Sequence, residues 1–321
     1  MEVPMISICI PAYNCDNYIV NTLDCLCAQT YRNIEIIIVD DGSSDGTFEI
    51  AEKYPDPRIK LFSFENGGAA VARNRAYMAA SGTYILFFDA DDYIGPTFLS
   101  EQFQRIADKN GAIVISAWGR FYNDDLQTFL LTEVKDEIIT FKDWIKTYWY
   151  RADPMTNPGR ILIPRHLIEE AGLWNETLTL NDDLEFYTRI FLRAKEIIIN
   201  KNAIFYYRSG VSGLSSQKSA EAHQSLFHSI SLSIRACLAH YKSDPSLYQS
   251  YANMLQSFIY LSYPHHRSLI ALAEKDMKEL VPADLEFQAS GYTKIFVHLL
   301  GWKNTKIIKN SITKLIAPGK L

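Results

Sequence analysis

The chain has 321 residues, of which 48% are hydrophobic and 21% charged, and its net charge is about −5. This balance excludes a disordered chain, and the negative sign argues against nonspecific binding of nucleic acid. The length accommodates one large α/β domain with an appendage, or two domains. Cys9, Cys15, Cys25, Cys27 and Cys237 are odd in number and lack paired zinc-ligand spacing. Free thiols in a reducing cytosol are the expectation. The start, Met1-Glu2-Val3-Pro4, lacks the basic region of a signal peptide, and no window is apolar for long enough to span a membrane. A cytoplasmic location follows as an expectation.

Residues 5–10 read as a short apolar strand, closed by Pro11-Ala12-Tyr13-Asn14. Residues 17–29 carry Ile19, Leu23, Leu26 and Cys27 at helical spacing. A β-branched strand over 34–39 runs into the loop Asp40-Asp41-Gly42-Ser43-Ser44-Asp45-Gly46. A helix over 47–54, a strand over 59–64, the turn Asn66-Gly67-Gly68 and a helix over 69–80 follow. They lead to the apolar run Tyr84-Ile85-Leu86-Phe87-Phe88. Such alternation implies a mostly parallel sheet with helices on both faces, binding ligands beyond the carboxyl ends of its strands.

Further along, 113–115 reads as a strand, 141–150 as an aromatic helix and 151–159 as a breaker-rich loop. A short helix over 167–171 ends at Gly172, and 182–192 is a helix with an acidic first turn. Residues 197–199 and 204–207 read as two strands. From about residue 220 the pattern is helical, over 225–240, 248–263 and 269–280. Residues 294–320 hold Lys294, Lys303, Lys306, Lys309, Lys314 and Lys320 without an Asp or Glu, interleaved with apolar residues and Trp302. A stretch of that kind suits an anionic membrane surface, or else an ordinary terminal helix packed on the body.

The chemistry gathers in the loops. Asp89, Asp91 and Asp92 follow directly on an apolar strand, where like charges repel unless something neutralises them. Clustered carboxylate oxygens suit a hard divalent cation such as Mg2+ or Mn2+. The plainer alternative is an acidic turn with Asp92 capping the next helix. Asp40 and Asp41 stand at another strand end, where a carboxylate accepts hydrogen bonds from a base or a ribose. Glycine-rich phosphate fingerprints are absent: no GxGxxG follows the first strand and there is no Walker lysine. Arg73 is placed either as a solvent-facing residue or as a fixed cation at the crevice. Asp182 and Asp183 open a helix, either serving its dipole or supplying a general base toward a hydroxyl.

Together these elements resemble glycosyltransferase family 2. The resemblance rests on Pro11-Ala12-Tyr13-Asn14, Val39-Asp40-Asp41-Gly42-Ser43, Asn66-Gly67-Gly68 with Ala72-Arg73-Asn74, Phe88-Asp89-Ala90-Asp91-Asp92, Gly172-Leu173-Trp174 and Asp182-Asp183-Leu184-Glu185-Phe186, in that order. It spans about residues 5–210 and implies a GT-A fold, with a nucleotide-sugar-binding catalytic domain over 1–215 and a helical extension over 216–321. It further implies an inverting, metal-assisted transfer from a nucleotide sugar, a UDP-sugar above all, to a hydroxyl of a glycan or lipid-linked glycan.

The resemblance also assigns residues. Tyr13, in the Pro11-Ala12-Tyr13 loop, would pack on the base, Asp41 would accept its N–H, and Arg73 would contact the base or its surroundings. Asp89 would bind the ribose, with Ala90 near the sugar, and Asp91 would coordinate the metal. Asp183 matches the catalytic base, although the family usually has Glu where this chain has Asp182. Arg208, in Tyr206-Tyr207-Arg208 before a Ser-rich loop, is a candidate for the diphosphate. Two other readings stand beside this one. A sugar nucleotidyltransferase would be expected to carry a glycine-rich basic loop after the first strand, and a non-catalytic binding module would tolerate loss of Asp91 or Asp183.

Overall fold

The computed structural model describes residues 3–210 and 219–316. Its first half is a β-α series: β1 (Ile6–Ala12), α1 (Ile19–Cys27), β2 (Ile34–Asp40), α2 (Thr47–Glu52), β3 (Ile59–Ser63), α3 (Ala69–Ala79) and β4 (Tyr84–Phe87). These four strands pair in parallel, in the order β3-β2-β1-β4. The register sets Ala12 beside Asp40 and Asp40 beside Ser63, so the loops after β1, β2 and β3 emerge at one rim. Successive side chains of a strand enter opposite faces. Ile8, Ile10, Ile36 and Ile38 join one buried cluster, while Cys9, Ile37 and Val39 join the other. Burial on both faces is what the unbroken Ile-Val run of β2 encodes.

The second half departs from simple alternation. β5 (Tyr93–Ile94) and α4 (Phe98–Ile106) precede β6 (Ala112–Tyr122), β7 (Asp125–Thr132) and β8 (Glu137–Ile139). α5 (Phe141–Trp144) runs on as a π-helical turn, Ile145–Trp149. β9 (Ile161–Pro164) enters antiparallel between β4 and β6, a strand the sequence pattern does not reveal. α6 (Arg165–Ala171) and α7 (Asp182–Phe191) lead to β10 (Glu196–Ser209), which pairs in parallel with β6. The two strands expected over 197–199 and 204–207 are thus one strand, interrupted by a register shift between Asn200 and Ile204.

α8 (Ala220–His240), α9 (Tyr248–Ser262) and α10 (Arg267–Lys278) follow. Their Phe227, Ile230, Tyr251, Phe258 and Ile270 belong to the same buried cluster as Ile37 and Phe87. The helical extension therefore shares its core with the sheet. The boundary expected at 215/216, and most of the Ser-rich loop, lie outside the described residues, as does Lys320. α11 (Tyr292–Ile316) breaks at Gly301, whose φ of 74° leaves the helical region. Beyond the break, Trp302 packs against the rings of Tyr260 at 4.8 Å and Tyr263 at 5.2 Å. Before it, Tyr292, Ile295, Phe296, Leu299 and Leu300 are exposed. No described helix is long and apolar enough to cross a membrane. The whole is α/β, with helices on both faces of the sheet and a helical C-terminal region. The sheet expected to be mostly parallel is mixed, parallel over β1 to β4 and between β6 and β10 but antiparallel where β5, β7, β8 and β9 join it.

Candidate active site

The site forms at the rim where β1, β2 and β4 end. Asn14 joins the first two loops: its N–H donates to Ser43 Oγ at 3.0 Å, and its Oδ1 accepts from Ser44 N at 2.9 Å. Tyr13 projects beside this junction, 54% exposed. Asp41 is buried, and its two carboxylate oxygens accept from Gly67 N at 2.9 Å and Gly68 N at 2.8 Å. A carboxylate used this way fixes the Asn66-Gly67-Gly68 turn and the start of α3. Gly42 makes the approach possible: its φ is +76°, and a Cβ there would lie 2.9 Å from Asn66 N.

α3 carries Arg73 inward, where it is 6% exposed. Expected near the base, Arg73 bridges two acidic segments. Nη2 donates to Asp89 Oδ1 at 2.9 Å and Nη1 to Asp182 Oδ2 at 2.8 Å, while the guanidinium lies 4.5 Å from the Trp174 ring centroid. Burial opposes its charge, but Asp89 and Asp182 more than offset this and raise its pKa. The Asp89 loop and the start of α7 are thereby held together by one buried cation.

The three acids after β4 have different surroundings. Thr22 Oγ1, on α1, donates to the carbonyls of Ala90 at 2.9 Å and Asp92 at 3.1 Å, fixing the loop backbone. Asp92 is buried and accepts from Arg208 N at 2.8 Å. It therefore ties the end of β10 to the loop, and the helix-capping role considered for it falls away, since Thr97 is the N-cap of α4. Asp91 is half-buried; burial, then the charge of Asp89, push its pKa up to about 6, against the pull of Arg208. Arg208 itself donates through Nε to the Asp91 carbonyl at 2.6 Å and pairs with Asp124, a partner no sequence pattern disclosed.

Asp183 stands on the first turn of α7. Burial first, then Asp182, raise its pKa to about 7, with Arg73 pulling the other way. Thr156 Oγ1 approaches Asp183 Oδ2 at 3.5 Å. The loop bearing Thr156 is anchored to β4, because Gly159 N donates to Phe87 O at 2.5 Å. Only glycine fits there: φ is +88° and a Cβ would come 2.3 Å from the Phe205 ring. α8 buttresses the other side, where Ser225 Oγ accepts from Thr179 N at 2.9 Å and Leu180 N at 3.0 Å. Neither Thr156 nor Ser225 belongs to a motif. Tyr187 lies four residues after Asp183, one helical turn on, buried with its hydroxyl unpartnered. Among the described residues, no three His, Cys, Asp or Glu side chains gather closely enough to hold a metal by themselves.

Asp41 thus fixes the turn before α3, Arg73 ties the Asp89 loop to the helix start that bears Asp183, and Arg208 braces the Asp91 backbone. The chain is similar to known glycosyltransferases. EpsJ of Bacillus subtilis (strain 168), an uncharacterized glycosyltransferase, is 31% identical over 66% of this chain, an overlap that makes up 63% of EpsJ. EpsH of the same organism is 30% identical over 85% of this chain and 78% of EpsH. The chain thus spans less than two thirds of EpsJ. Among solved structures, Staphylococcus aureus TarS 1-349, in complex with UDP-GlcNAc, superposes with a TM-score of 0.68 over 97% of this chain and 92% of that one. At 19% identity this likeness speaks for the fold alone, which is that of TarS. Residues 7–170 match the family described as glycosyl transferase family 2, and the chain belongs to that family.

Proposed function

We propose that this protein transfers a sugar from a UDP-sugar to a hydroxyl of a glycan or lipid-linked glycan acceptor, inverting the anomeric centre. The Arg73 bridge carries the proposal: it holds the loop of Asp89 and Asp91 and the helix of Asp183 in one fixed relation. Donor and acceptor chemistry need that proximity. TarS, with the same fold, was solved with UDP-GlcNAc, which supports a UDP-sugar donor.

Tyr13 packs on the base, Asp41 lies beside it within the Pro11-Ala12-Tyr13 and Asn66-Gly67-Gly68 walls, and Asp89 meets the ribose, with Ala90 beside the sugar. Asp91 suits a divalent cation: its pKa of about 6 marks a carboxylate whose charge is poorly compensated, and the nearby Arg208 is already paired with Asp124. Among the described residues no three-residue ligand cluster stands ready, so Asp91 would be the protein's own ligand to such an ion. A bound Mg2+ or Mn2+ offsets charge on the leaving diphosphate. Arg208 supports the same loop from the far side.

Asp183 takes the proton of the acceptor hydroxyl as its oxygen bonds to the anomeric carbon. The bond from that carbon to the diphosphate breaks, and its electron pair leaves with UDP. A pKa near 7 keeps Asp183 both basic enough to accept the proton and largely ionised just above neutrality. Attack opposite the leaving group needs no protein nucleophile. Incubating UDP-sugars with the protein and Mn2+ tests this: free UDP supports transfer, pyrophosphate points to a nucleotidyltransferase, and no product across the panel points to a binding module.

The exposed apolar stretch of α11 supports a reading in which the acceptor lies at a membrane surface. The exposed Ile295, Phe296, Leu299 and Leu300 stand between Lys294 and Lys303, a pattern suited to anionic lipid. Co-sedimentation with phosphatidylglycerol vesicles is expected, and to be lost in Phe296→Glu/Leu299→Glu; undiminished binding by that variant removes the idea.

A further inference from the structure

Outside the site already described, a cavity of about 110 Å3 opens beside the Thr156 loop, lined from β6, β7, β10 and α5. Its floor is unusual in charge. Arg160 is 3% exposed and has no carboxylate within ion-pairing distance among the described residues. Its Nη groups donate to the carbonyls of Met155 and Ser116, the latter at 2.9 Å, and its Nε has no partner. Beside it, Trp144 Nε1 is likewise buried and unpartnered. Unmade donors in a buried setting are costly unless a ligand or water satisfies them.

The walls are aromatic. Trp118 lies 5.3 Å from the Arg160 guanidinium, and half-buried Tyr148 leans on Trp144 at 31° with centroids 4.0 Å apart. At the mouth, Glu133 and Asp153 are exposed carboxylates, with the exposed Arg151 beside them. The set therefore combines ring faces, inner donors and outer acceptors. A pyranose ring meets all three, with C–H faces for the aromatic walls and hydroxyls that both accept and donate. A sugar carboxylate or phosphate fits less well, because Glu133 and Asp153 outnumber Arg151 at the entrance.

Position ties the cavity to the chemistry. Met155 lines it, and the next residue, Thr156, touches Asp183. We propose that this cavity is a subsite for one neutral pyranose of the acceptor glycan, next to the sugar whose hydroxyl Asp183 deprotonates, an inference that builds on the transferase activity proposed above. A cavity of this size takes part of one ring and leaves the remainder over the rim.

Intrinsic tryptophan fluorescence of the full chain tests it, since Trp118 and Trp144 both line the cavity. The probes are the methyl glycosides of glucose, galactose and N-acetylglucosamine, with glucuronate and glucose 6-phosphate as charged counterparts. A saturable change is expected with at least one neutral glycoside and a weaker response to the charged sugars. Tyr148→Ala is expected to weaken binding about tenfold. Glu133→Gln, at an exposed position, is expected to weaken it severalfold without threatening the fold, and a UDP-induced thermal shift confirms folding of both variants. Silence with every neutral glycoside, tighter binding of a charged sugar, or unchanged binding in both variants overturns the subsite. UDP release from a UDP-sugar is scored separately. Glycoside binding without UDP release overturns the acceptor assignment through failure of the transferase reading, whereas UDP release without glycoside binding overturns the subsite alone.

Discussion

At the amino ends of β1 and β2, Glu35 is surrounded by partners: Ser7 Oγ at 2.5 Å, Ser81 N at 2.6 Å, Ser81 Oγ at 2.9 Å and Lys60 Nζ at 2.6 Å. Burial alone would raise its pKa, but Lys60, Ser7 and Ser81 together bring it down to about 2. At the carboxyl ends of the same sheet, Asp91 and Asp183 sit at about 6 and about 7 for want of such compensation. One sheet thus buries carboxylates in two ways. A carboxylate with every lone pair occupied holds strands together and has nothing left for a ligand. One left short of donors costs stability and is available to a cation or a proton.

Removing Asp183 breaks this contrast most severely. Asp183→Asn is expected to lower turnover of a UDP-sugar by about a thousandfold, within the range for a lost general base. The donor-induced thermal shift should persist, because the Asp89 and Asp91 loop is untouched. Full turnover by this variant would place the base elsewhere. Asp91→Asn comes next, with a loss of about a hundredfold. Here the Mn2+-dependent part of the donor-induced thermal shift should vanish, as it should for the unaltered protein in EDTA. A shift that is independent of metal in both proteins removes Asp91 as a ligand.

The contrast also explains what the sequence discloses. β1, β2 and β4 are legible because double burial demands unbroken apolar runs, and the loops after them because several acids at a strand end need a reason. β9 is hidden, since Ile161-Leu162-Ile163 is short and stands among prolines and glycines. β7 is hidden because most of it is exposed and shows no alternation of burial. Within the site, Asp41, Asp89, Asp91 and Asp183 are legible as types in motifs. The bridging position of Arg73, the Arg208–Asp124 pair and the Thr156 contact are not, because each joins residues far apart in sequence through a single side chain. Glu35 is equally silent: nothing about one Glu inside an Ile-rich strand reveals the serines that will surround it.

Glu35→Gln tests the other pole. Gln keeps one acceptor oxygen, loses the Lys60 ion pair and turns an NH2 toward donors. A loss of about 2 kcal/mol in urea unfolding is expected, since unpaired buried polar groups cost on that order. UDP release per folded molecule should be unaltered, because Glu35 lies at the opposite end of the strands. A fall in specific activity without a fall in stability would contradict a purely structural role.

The smallest effect is the most discriminating, because it concerns sign. The folded-state pKa of Glu35 is depressed, so its contribution is present above its ordinary value near 4.5 and is lost as pH falls toward about 2. The folded-state pKa of Asp183 is raised from 3.8 to about 7, so the native state holds its proton more tightly than the unfolded chain does. Its effect on stability is therefore favourable at low pH and is lost as pH climbs through that window, with no further decline above it. Asp183→Asn mimics the protonated form. Its melting temperature should match that of the unaltered protein near pH 4 and exceed it at pH 8, by on the order of 2 °C. Activity should follow the opposite course, rising through pH 7 as Asp183 ionises. A melting difference that is the same at both pH values would mean that Asp183 is already compensated in the folded protein, as Glu35 is, and the two ends of the sheet would then not differ in the way their surroundings imply.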